Sequence, residues 1–73
     1  MKSLVYYSRW QGAKLRLRGR DKTAVWGQLV FAEENGREPT KEFRFELASQ
    51  KITLYEEGSE KVLQLDEMGV AQQ

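Results

Sequence analysis

The sequence contains no cysteine and no histidine, and only one proline among its 73 residues. Without cysteine there is no disulfide and no thiol redox chemistry. With histidine missing as well, zinc fingers, iron–sulfur clusters, Ser-His triads and Cys-His nucleophiles are excluded. Long hydrophobic runs are also missing. The apolar stretch near the N-terminus covers residues 4–7 and is closed by Ser8 and Arg9. A signal peptide needs ~7–15 apolar residues and a membrane span about 20, so neither is expected. The expectation is a cytoplasmic chain with no membrane partner. A chain this short buries only ~60–65% of its unfolded surface, so it needs a well-packed core or a partner subunit.

What the sequence does have is alternation. Lys14-Leu15-Arg16-Leu17-Arg18 and Glu42-Phe43-Arg44-Phe45-Glu46-Leu47 both alternate polar with apolar residues. Period two marks strands with one buried face. Six strands are predicted, over 3–10, 13–19, 23–32, 41–47, 50–56 and 60–66. The breaks between them carry Gly12, Asp21, Asn35-Gly36 and Gly58-Ser59, residues suited to tight turns.

Parity suggests registers. A Gly58-Ser59 turn would set Leu54 opposite Leu63 and Ile52 opposite Leu65. An Arg20-Asp21-Lys22 loop would set Leu17 opposite Val25 and Arg16 opposite Trp26. Around Asn35-Gly36, Phe31 would meet Phe43 and Leu29 would meet Phe45. Phe43 and Phe45 should be buried with Arg44 exposed between them.

The expected fold class is all-β: one domain over residues 1–73, a small antiparallel meander of five to six strands. With no amphipathic helix in view to cover its apolar face, the sheet is expected to curl into a barrel or half-barrel. Gly27, in mid-strand, is a natural place for it to bend. Residues 67–73 are expected to fray or to form a short turn.

Net charge is +1, yet charge is segregated along the chain. Residues 1–30 carry seven positive charges against Asp21 alone, and residues 31–73 carry five positive against ten negative. Lys14, Arg16 and Arg18 share the outward face of the second predicted strand, with Arg20 in the turn after it. Trp26 is their predicted neighbour, and Tyr7 is expected on the other side. Cations beside flat rings suit a single-stranded nucleic acid. They equally suit a solvated sheet face paired with acidic neighbours. A dedicated nucleic-acid binder usually has a pI above ~9, whereas this chain has 8.0. Val30 shares the outward parity of Trp26, which suggests a strip covered by a partner or a terminus.

Carboxylates fall in loops or alternate with basic residues, so no catalytic, metal or cofactor site is predicted. The expected function is a small non-enzymatic module that recognises a protein partner, including a second copy of itself. The candidate residues are Lys14, Arg16, Arg18, Arg20, Trp26, Val30 and Tyr7. Single-stranded nucleic-acid binding through the basic strand is the alternative, and a small apolar ligand held inside a barrel is the third.

Overall fold

The N-terminal segment departs first from the sequence reading. A computed structural model describes residues 1–72, and in it helix α1 spans Lys2–Trp10 where a strand was predicted. Four apolar residues in a row fit either state, and tertiary packing decides between them. On a helix, Ser3, Leu4, Tyr7 and Ser8 fall on one face, and these are its buried residues. Ser8 stays satisfied because its hydroxyl donates to the Val5 carbonyl at 2.8 Å. The chain does carry a covering helix after all, and the expectation of no substantial helix is corrected.

The rest is an antiparallel meander. Its strands are β1 (Ala13–Arg20), β2 (Ala24–Phe31), β3 (Thr40–Glu46), β4 (Lys51–Glu56), β5 (Ser59–Leu65) and β6 (Ala71–Gln72). They lie in one sheet in chain order, with β1 and β6 at its two ends. The sheet is therefore open and does not close into a barrel. Helix α1 packs against both β1 and β5. Those strands lie four spacings apart, ~19 Å on a flat sheet, against a helix about 10 Å across. The sheet must bend around α1.

The faces follow the predicted parity, but the registers differ. Between β4 and β5 the turn is Glu57-Gly58, so Ile52 faces Leu63 and Leu54 faces Lys61, a displacement of two residues. Gly58 supplies the positive φ of 76° that this turn needs. Between β2 and β3 the displacement is four, and Phe45 faces Val25 while Phe43 faces Gly27. The cause is Pro39, whose carbonyl accepts the Phe31 N–H at 2.8 Å. Residues 32–38 become a separate excursion around Asn35-Gly36.

Between β1 and β2, Leu17 faces Gly27 and Arg16 faces Gln28, so neither predicted pairing forms. The Asp21 carboxylate accepts the N–H groups of Thr23 and Ala24, which moves the turn one residue onward. A bulge between Leu17 and Gly19 absorbs the mismatch.

The core contains Leu4, Tyr7, Val25, Leu29, Phe43, Phe45, Ile52, Leu54 and Leu65. Phe43 and Phe45 are buried, and Arg44 between them lies half-exposed on the other face. Leu17, predicted to face inward, is exposed at the sheet edge. Asp66 organises the segment after β5 by accepting the N–H groups of Met68 and Val70. A turn and the short β6 follow, and Gln73, the end of the expected tail, lies outside the described residues.

Gly27 fits only because it lacks a side chain. A Cβ there would meet the Arg16 carbonyl oxygen at 2.1 Å, a contact with backbone that cannot rotate away. Gly12, at φ +70°, has nothing within 4 Å of such a Cβ. Gly27→Ala should therefore cost at least the ~1–3 kcal/mol of core overpacking. Gly12→Ala should cost only the ~1–2 kcal/mol of a left-handed residue. Urea denaturation of the two variants checks the order.

Candidate functional site

The basic strand does not present one continuous cationic row. Lys14, Arg16 and Arg18 are exposed, and the first two stand on the sheet face turned away from α1. Arg20, expected in the turn, instead ends β1, and because the bulge reverses the parity beyond it, it pairs with the core residue Val25 and does not extend the row. Acidic groups sit on the same outer face. The Glu42 carboxylate lies 3.5 Å from the Arg18 guanidinium and accepts the Gln28 side-chain N–H at 2.8 Å. Arg44 and Glu46 pair at 2.7 Å. Each such exposed pair contributes only ~0–1 kcal/mol, but together they neutralise the sheet surface.

Trp26 is half-buried rather than displayed. Its ring lies over Gly19, where a Cβ would stand 2.7 Å from three ring atoms. The Arg44 guanidinium sits over the ring 5.7 Å from its centroid. Arg44, not the predicted Arg16, is thus its cationic neighbour. Val30 is only 6% exposed and is covered by its own chain, so the Trp26–Val30 strip is not open. Tyr7 belongs to the core and does not flank the basic strand. Its burial, with a smaller contribution from the charge of Glu56, pushes the phenol pKa above the usual tyrosine range. Asp21 lies below the usual carboxylate range, chiefly because it accepts the Thr23 backbone N–H.

The exposed apolar surface lies elsewhere. Trp10, at the end of α1, is 68% exposed, and beside it stand Met68 at 58% and Val70 at 44%. The Trp10 indole N–H donates to the Met68 carbonyl at 3.0 Å, which fixes the ring against the 66–70 turn. Gly69 makes the junction possible. Its φ is +76°, and a Cβ would meet the Tyr7 nitrogen at 2.4 Å and the Ser3 carbonyl oxygen at 2.6 Å. A shallow groove lined by Tyr7, Trp10, Val70 and Ala71 runs along this junction. Met1 borders Met68 on the other side.

Sequence reasoning placed only Trp26 in the candidate site. The available signal was helical spacing over residues 3–8, which would have put Trp10 at a helix terminus.

Among the described residues, no group of three or more His, Cys, Asp or Glu side chains could hold a metal ion. No helix of these residues is long and apolar enough to cross a membrane. Comparison with known proteins gives no match to a family model, a curated protein or a solved structure.

The two tryptophans should differ in solution. In Trp26→Phe the remaining Trp10 fluorescence should be quenched steeply by acrylamide, and in Trp10→Phe the remaining Trp26 signal more weakly. Equal quenching slopes would contradict the arrangement.

Tyr7 generates an alkaline prediction. Its folded-state pKa is raised, so its contribution to stability is complete below the unfolded value of about 10. That contribution is lost as pH rises through the folded value. Thermal melts between about pH 9 and 11.5 should show a fall in stability that is shallower in Tyr7→Phe.

Proposed function

We propose that this chain is a small non-enzymatic interaction module that recognises a protein partner. The observation that carries the reading is the exposed Trp10, pinned by its indole N–H to the Met68 carbonyl and flanked by Met68 and Val70. Tryptophan is among the residues that most often dominate binding energy at interfaces. A ring already fixed in place loses little entropy on association. Methionine beside it adapts its shape to an apolar surface.

The outer sheet face supports nucleic-acid binding less well. A strand of phosphates crossing Lys14 and Arg16 would next meet Glu42 and Glu46. The Trp26 ring already carries Arg44 where a base would stack.

The test replaces Met68 with a photo-cross-linking amino acid in cells and compares it with Thr53 on the outer face of β4. A discrete protein adduct, a second copy included, is expected from position 68 and not from position 53. Trp10→Ala should abolish it through a loss of ~2 kcal/mol or more in binding, about 30-fold in affinity. The folded chain should lose only ~1 kcal/mol, the value of one hydrogen bond. Salt-sensitive binding of a single-stranded oligonucleotide that collapses in Arg16→Ala/Arg18→Ala, with no protein adduct, would overturn the proposal.

A further inference from the structure

The outer edge of β1 is unpaired, because β1 ends the sheet. Within a strand, the N–H and C=O of each residue point to the same side, and the side alternates from residue to residue. Phe31 donates to Pro39 and Leu47 donates to Thr23, so the odd-numbered positions along β2 face β3. The even-numbered residues Gln28 and Val30 then face β1, opposite Arg16 and Lys14. It follows that Ala13, Leu15 and Leu17 direct their N–H and C=O groups away from the sheet. Among the described residues these groups have no backbone partner.

Exposed edges are usually protected by shortness, proline or charge. Here the bulge limits the regular stretch to residues 13–17, and the charges Lys14 and Arg16 stand on the outer face. They select against one kind of partner only. A two-fold pairing of β1 with a second copy, centred on Leu15, would set Lys14 opposite Arg16 of that copy and repel it. At the opposite side of the sheet, β6 pairs only with Gln64 and Leu65, and the stretch of β5 before them offers a single outward acid, Glu60, followed by Val62. Joining it to β1 would also propagate without closure.

We infer that the β1 edge accepts an extended segment of another protein in which acidic and apolar residues alternate. The segment adds as a seventh strand, its backbone bonding to Ala13, Leu15 and Leu17. Its acidic side chains then lie beside Lys14 and Arg16. Its apolar side chains extend the core past half-buried Leu15 and exposed Leu17. This deepens the protein-recognition reading and rests on it, but it uses a different surface from Trp10.

The probes are two synthetic eight-residue peptides, one alternating glutamate with valine and one alternating lysine with valine. They are titrated into the isotope-labelled full chain and followed by backbone amide shifts. The glutamate peptide should shift the amides of Ala13, Leu15 and Leu17 and protect them from hydrogen exchange, weakening as salt is raised. The lysine peptide should leave them unmoved. Leu17→Pro removes one edge donor without touching the β2 ladder, and should weaken the glutamate peptide roughly fivefold or more. Arg16→Glu keeps the edge but brings the summed charge of positions 14 and 16 to zero, and should erase the preference between the peptides.

Equal response to both peptides, shifts confined to Trp10, Met68 and Val70, or self-association through β1 without peptide would each overturn the edge assignment. The Trp10-dependent adduct is read independently. Its presence beside a silent edge removes this inference alone, whereas its loss with an active edge removes the Trp10 assignment alone.

Discussion

The structure depends on the seating of α1 against the concave side of an open sheet. A meander with one apolar face cannot leave that face in water, and β1 and β6 do not pair to close it. Leu4 and Tyr7 fill the space instead, from a helix of nine residues. A helix this short is marginal by itself, so packing must hold it in place. It is held at both ends of the chain: β1 follows directly from its C-terminus, and the Gly69 backbone lies against Ser3 and Tyr7. The bend of the sheet, the position of the 66–70 turn and the exposure of Trp10 all follow from this contact.

Glycine performs the complementary task on the sheet. Gly27 allows the β1 backbone to approach where Phe43 packs from the opposite strand, and Gly19 leaves room for the Trp26 ring. The two positions lie on either side of the Arg18 bulge. One consequence is local twist, and another is that Arg20 turns away from Arg16. What reads in sequence as three aligned cations with a fourth in the turn is, in space, a shorter basic row beside Glu42. The segregated charge of the chain is thereby interleaved on the outer face and remains unopposed mainly at the β1 edge.

Strand parity was legible because each strand needs only its own alternation. Phe43, Phe45, Ile52 and Leu54 are buried as that alternation requires, and Phe45→Ala would remove ~3–5 kcal/mol on the usual scale for core aromatics. Register was not legible, because parity is unchanged by a shift of two or four residues. Both shifts occur, set by the Glu57-Gly58 turn and by the Pro39 carbonyl, which depend on turn geometry rather than hydrophobic pattern. The helix was missed for a different reason. Residues 4–7 satisfy strand preference locally, and only the sheet they cover makes the helical face worthwhile. The candidate site inherited that error: with residues 3–10 in a strand, Trp10 had no special place and Tyr7 faced outward. Lys14, Arg16 and Arg18 were correctly read as exposed; Arg20 was displaced by a bulge that no composition signal marks.

The two exposed surfaces are not remote from one another along the chain. Trp10 ends α1, Gln11-Gly12 turns the backbone, and Ala13 begins the edge strand. Gly12, at positive φ with its N–H bonded to the Arg9 carbonyl, makes this connection short and well defined. A segment laid along residues 13–17 is therefore led towards the Trp10 end of the molecule. If both surfaces are engaged as proposed, two contacts joined by a short span would reinforce each other through effective concentration. On the proposed reading, their fixed separation would also discriminate among partners, because a segment would have to match the edge in charge and reach the indole in length.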